Sequence, residues 1–156
     1  MDVFELLKTF HVLAAVIWVG GAAATQIFAI KATRTADGSR MATFASDAEW
    51  VGMRVFLPAS LLVLALGIAM VIDRPEIAFG DLWIILGLSG ILFSALVGSV
   101  FLGPESGRIG KIIEAEGPDS PEAARRLKRI FLVSRIELVV LLLVVVDMVV
   151  RPGGPY

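Results

Sequence analysis

The sequence predicts an all-α polytopic membrane protein, a bundle of four transmembrane helices whose long fourth helix projects into the cytoplasm. Three observations carry this reading. The first is composition: 57% of the 156 residues are hydrophobic and the mean hydropathy is +0.84, whereas a soluble domain is roughly 45–50% apolar. The second is a set of four apolar stretches, residues 8–30, 55–72, 82–102 and 130–150, each long enough for a helical crossing. The third is the placement of the basic residues. The links 31–54 and 103–129 hold Lys31, Arg34, Arg40, Arg54, Arg108, Lys111, Arg125, Arg126, Lys128 and Arg129, against Lys8, Arg74 and Arg151 on the other side. Lys and Arg accumulate in cytoplasmic loops. These two links are therefore read as cytoplasmic and both termini as outside, with residues 1–156 forming one transmembrane domain.

The first span, Phe10–Ile30, contains the chain's single histidine, His11. At ~1.5 Å per residue its length is roughly 31 Å, about one bilayer core. His11, Trp18 and Thr25 recur every seven residues and fall on one helical stripe, with Ala14, Ala15, Gly21 and Ala22 leaving a smooth groove between them. Asp2 and Glu5 against Lys8 do not make the positive leader of a signal peptide. Lys31 and Arg34 follow the run, so it is read as a retained span.

The first cytoplasmic link turns at Asp37-Gly38 and continues as a short amphipathic helix. Pro58 lies one turn into the second span, where it kinks or starts the helix. Asp73-Arg74-Pro75 ends that span, and a tight hairpin leads to Asp81-Leu82-Trp83. Trp83 is predicted to anchor the outer interface and Trp50 the inner one. The third span steps through Gly90, Ser94 and Gly98, small residues spaced for close helix packing. Gly103-Pro104 and Gly117-Pro118 are predicted breakers in the third link. Ser120-Pro121-Glu122 then reads as an N-cap, a first-turn proline and an early acid, opening a helix that runs to Val150. Glu122 and Arg126 pair along it at i,i+4. Arg54-Val-Phe-Leu and Arg129-Ile-Phe-Leu precede the second and fourth spans, a short echo compatible with a parallel duplication.

Few polar residues lie within the spans. His11 and Asp147 sit at matching depth near the outer edge, with Met70 and Met148 at a similar level. An isolated carboxylate there costs ~2.5 kcal/mol or more, so Asp147 requires a partner or water. His11 is a candidate ligand for haem iron or copper, with Met70 or Met148 as a thioether donor. Asp147 is then the acceptor that orients the imidazole. The alternative is a single interhelical hydrogen bond from His11 that fixes packing. Nearer the cytoplasm, Gln26, Arg54 and Glu137 form a predicted intramembrane polar cluster with Ser134 and Arg135. Arg54 with Glu137 is the first expected pair, and Arg135 can hold a haem propionate.

Other chemistry is excluded by what the chain lacks. It has no cysteine, hence no disulfide or thiolate site. It has no Gly-rich phosphate loop, no hydrolase triad order and no basic-aromatic nucleic-acid patch. One histidine gives no bis-histidine site within a chain, although a homodimer would bring two copies of His11 together, and symmetric dimers are the commonest oligomers.

The strings LLKTFHVLAAVIWVGG, EWVGMRVFLPASLLVLALGIAMV, FGDLWIILG and LVSRIELVVLLLVVVDMVV resemble a bacterial four-span family, domain of unknown function 2269. The first span alone is similar to CopD copper-resistance membrane proteins and to HemJ-type protoporphyrinogen oxidases, whose first span joins a histidine to a tryptophan and small residues. These resemblances imply a bacterial inner-membrane location and a ligand role for His11 toward haem b or copper. The alternatives are an oligomeric transporter or channel using Arg54, Arg135 and Glu137, and a non-catalytic subunit whose cytoplasmic helix binds a partner protein.

Overall fold

The computed structural model describes residues 2–34 and 38–154, and they form four long helices with no strand among them. Helix α1 spans residues 3–34, α2 Gly38–Asp73, α3 Leu82–Glu116 and α4 Pro121–Val150. Helices α1 and α2 pack as one pair and α3 and α4 as another. Between the pairs, the end of the bundle where α1 begins and α4 ends, the termini end, is loosely filled. At the opposite, basic end the helices close on a compact core of Ala29, Ile109, Leu127, Ile130 and Phe131.

Three of the helices, over Val3–Ala32, Gly38–Asp73 and Leu82–Glu116, are long and apolar enough to cross a membrane. Large apolar side chains such as Ile17, Leu61, Leu92 and Leu143 are exposed around the bundle, an exterior suited to lipid. Helix α4 is 30 residues long, but its apolar half contains Arg135, Glu137 and Asp147. Those charges set it apart from the other three.

The ends of the helices follow from local chemistry. A capping box starts α1: Asp2 accepts from the Glu5 amide at 2.8 Å while Glu5 accepts from the Asp2 amide at 3.2 Å. Helix α2 ends at Asp73, before Arg74-Pro75. Gly117, at φ 88°, ends α3 in a conformation that side chains disfavour. Ser120 caps α4 by accepting from the Ala123 amide at 3.3 Å, with Pro121 in the first turn. Arg126 Nε donates to Glu122 at 2.7 Å, the predicted i,i+4 pair.

The interior of the helices differs from the sequence reading at three π-turns, Val16–Gly20, Gly52–Phe56 and Val97–Leu102. Two of them immediately precede Leu57-Pro58 and Gly103-Pro104. A wider turn relieves the clash between a proline ring and the preceding turn's carbonyl. Gly103-Pro104 is accordingly not a breaker; α3 runs through it to Glu116. The link 31–54 is likewise helical from Gly38 onward, as the predicted amphipathic helix requires. Asp37, the other half of the predicted turn, lies outside the described residues. The first π-turn inserts a residue into α1 and rotates Thr25 off the stripe of His11 and Trp18. Thr25 instead donates to the Gly21 carbonyl at 2.9 Å and lines a different cleft, between α1 and α2.

The α3–α4 seam is built on small residues, but not the three expected. Gly87, Gly90 and Ser94 are buried, and a Cβ on Gly90 or Gly87 would overlap Val144 or Met148. Gly98 has open space around it because it lies in the π-turn, which turns it off this face.

At the basic end, Glu105 is buried and accepts from Arg126 at 2.8 Å, while Arg126 also holds Glu122. Hydrogen bonds from Arg125 and Arg126 keep the Glu122 carboxyl below its ordinary range. Donating to the Glu105 and Glu122 carboxylates raises the pKa of Arg126 in turn.

Candidate functional site

The register of α1 on α2 is set at its start, where Arg74 Nη2 meets Asp2 Oδ2 at 2.7 Å. Two turns further, His11 lies over Gly67 of α2. Its Cε1 is 3.2 Å, and its Nδ1 3.6 Å, from the point a Gly67 Cβ would occupy. Glycine at this position therefore leaves room for the imidazole against the α2 backbone, with Val63 one turn earlier. Nδ1 is buried and forms no well-directed hydrogen bond among the described residues.

The ring borders a cavity of about 470 Å³ between the two helix pairs, a volume typical of small-molecule and cofactor sites. Trp18 lies at its deep end, packed with Ala14, Ala59, Val63 and Leu141. Met70 enters the lining from α2, Gly87 and Ile91 from α3, and Met148 from α4. At the termini end the lining is Phe4, Lys8, Phe79, Trp83 and Arg151. The walls are overwhelmingly apolar.

Of the residues singled out from the sequence, the structure brings His11, Trp18, Met70 and Met148 to this one cavity. Asp147 is absent from its lining. It precedes Met148 by one residue, about 100° around the helix, and its Oδ2 is buried without a hydrogen-bond partner among the described residues. The expected His11–Asp147 pair is therefore not formed: equal depth did not bring equal facing. Arg135 is exposed on the outside of α4.

The inner polar residues are joined two by two. Gln26 Nε2 donates to Ser134 Oγ at 2.7 Å, linking α1 to α4. Ser94 donates to Glu137 across the α3–α4 seam. No ion pair joins Arg54 to Glu137 among the described residues. The Arg54 guanidinium lies 5.4 Å from the Trp50 ring centroid on its own helix, and Trp50 is exposed. Gln26, Arg54 and Glu137 thus belong to separate contacts rather than to one cluster.

Four residues of the site went unrecognised in the sequence. Gly67 is a lone glycine in an apolar run, a signal of close approach by a neighbour. Lys8 and Arg151 resembled flanking charges. Trp83, expected as an interfacial anchor, is instead only 6% exposed, with the Arg151 guanidinium 5.2 Å from its ring centroid. The α4 terminus folds over it: Arg151 takes a left-handed cap at φ 49°, which turns the tail back onto α3.

A family model described as a predicted integral membrane protein family, DUF2269, matches residues 5–152. The chain belongs to this family. No curated protein and no solved structure matches it. The DUF2269 match takes in all but the outermost residues of the four helices, and membrane integration agrees with the apolar exteriors of α1, α2 and α3. Among the described residues of this DUF2269 chain, no three His, Asp or Glu side chains group as a metal cluster. The ligand-forming chemistry at the cavity is one imidazole and two thioethers.

Proposed function

We propose that the protein is a four-pass inner-membrane protein, with both termini outside, that binds an apolar cofactor in the cavity between its helix pairs through His11, haem b being the best fit. The observation that carries this reading is His11 itself. It borders a roomy apolar cavity, held over a glycine, with Nδ1 turned toward the α2 backbone. A ligating histidine commonly presents its other nitrogen to a backbone carbonyl or carboxylate. Nε2 would then be the donor toward a bound group, and Met148 of α4 or Met70 of α2, which line the same cavity, would offer a thioether. Copper is the alternative cofactor, but a cavity of about 470 Å³ suits a large planar molecule better than a bare ion. Bound haem would supply one-electron redox chemistry. The chain's contribution is to position the group on His11, to shield it with Trp18, Ile91 and Leu141, and to leave its polar edge at the termini end.

Helix α4 joins the bundle as the fourth crossing on this reading. Two of the three ionisable residues of its apolar half have local solutions, Glu137 taking a hydrogen bond from Ser94 and Arg135 being free to reach an interface. The separate contacts of Gln26 Nε2 with Ser134 and of Glu137 with Ser94 favour a binding role over a continuous polar transport pathway. Because His11 faces the interior, the second donor is taken from the same chain rather than from a dimer partner.

Haem stoichiometry of protein purified from haem-supplied cells tests the reading. Wild type should retain haem and His11→Ala should lose it. Equal content in the two would remove His11 as the ligand.

A further inference from the structure

We propose that the occupant of the cavity is an anionic amphiphile, seated with its apolar body toward Trp18 and its acid group at Lys8 and Arg151. This rests on the cavity being a ligand site, but not on the ligand being haem. Three cations lie at the termini end of the bundle: Lys8, Arg74 and Arg151. Arg74 is neutralised, with Asp2 at 2.7 Å, Glu76 at 3.6 Å and Asp73 at 3.9 Å, and does not line the cavity. Lys8 and Arg151 do line it. Neither has an ion-pair partner among the described residues. Lys8 lies 5.9 Å from the Phe4 ring centroid, and Arg151 lies 5.2 Å from that of Trp83.

The acids of this end lie outside the cavity, and Asp147, one turn before Arg151, neither lines it nor forms an ion pair among the described residues. Asp2, Asp73 and Glu76 serve Arg74, Glu5 closes the capping box, and Asp81 accepts from the Ala78 amide at 3.0 Å. The ionisable groups lining the cavity are Lys8, His11 and Arg151, without a carboxylate. Trp83 adds its indole ring to this end, with the ring N–H buried against Gly154 of the tail. The result is an apolar chamber with positive charge confined to one end. Its complement is a molecule with a long or flat apolar body and a carboxylate or phosphate at its edge.

Two sources share this chemistry, an acyl chain with an acid head and an acid-bearing macrocycle, and paired probes separate them. Full-length protein in phosphatidylcholine nanodiscs is titrated with the fluorescent fatty acid cis-parinaric acid and its methyl ester, and with haemin and its dimethyl ester. The acid of at least one pair should bind roughly tenfold or more tighter than its ester, the value of one charge-assisted contact. Lys8→Gln and Arg151→Lys should each reduce that ratio, with Arg151→Lys retaining the charge and the fold. Preference confined to haemin assigns the macrocycle, and preference confined to the fatty acid assigns the acyl chain. If acid and ester bind alike and Ile91→Trp blocks both, the head-group assignment is overturned while the cavity remains a ligand site. If none of the four probes binds, both fall.

Discussion

Gly90→Ala probes the α3–α4 seam most sharply, because two opposing effects are of known size. Alanine is about 1 kcal/mol better than glycine in a helix interior, which alone would stabilise α3. Against this, the new Cβ would overlap Val144 Cγ2 of α4. Val144 is β-branched and holds essentially one rotamer in a helix, so it cannot swing aside. Overpacking of this kind costs about 1–3 kcal/mol, leaving a net loss of up to about 2 kcal/mol. Thermal unfolding in mild detergent should show Gly90→Ala melting several degrees below wild type. Adding Val144→Ala should restore the loss, and Gly98→Ala, where nothing lies within 4 Å, should cost nothing. A Gly90→Ala protein that melts with wild type, or one that Val144→Ala fails to rescue, would refute the seam.

Further outcomes follow from the polar contacts. Ser94→Ala deprives Glu137 of its donor across the seam and should cost about 1–3 kcal/mol in the same unfolding assay; unchanged stability would show that Glu137 is satisfied otherwise. At the basic end, Glu105→Ala removes a buried carboxylate held by Arg126 at 2.8 Å. It should speed amide exchange in residues 105–130 while leaving α1 protected. Glu122 titrates below its ordinary range when folded. Its contribution is therefore complete above the unfolded carboxylate pKa and is lost as pH falls through the lower, folded value. Glu122→Gln should flatten stability against pH in that acidic window, and an unchanged profile would contradict the assignment. A C-terminal reporter active only in the cytoplasm should stay silent if both termini are outside, and a signal from it would reverse the orientation.

The helical elements were largely legible in the sequence because their signals are local. Hydropathy marks the apolar runs, Asp73-Arg74-Pro75 marks an end, and Ser120-Pro121 marks a start. The site was legible only in part. Depth along a helix can be counted, so His11, Met70 and Met148 were placed at one level and do share a cavity. Facing cannot be counted across a π-turn, which shifts the helical phase by a residue without a compositional mark of its own. Thr25 left the predicted stripe for that reason, and Gly98 left the predicted seam. Pro58 and Pro104 are the nearest thing to a signal, since each follows such a turn. Arg54 and Glu137 show the same limit. Their charges suggested attraction, but the tertiary arrangement gave Glu137 to Ser94 and left Arg54 beside Trp50.

The central claim is that the cavity between the helix pairs holds a redox cofactor on His11. The most direct test is the absorbance spectrum of detergent-purified protein from haem-supplied cells, oxidised and then reduced with dithionite. The account predicts a Soret band that shifts on reduction, persists in Asp147→Asn and disappears in His11→Ala. A featureless spectrum, or a band indifferent to His11→Ala, would contradict it.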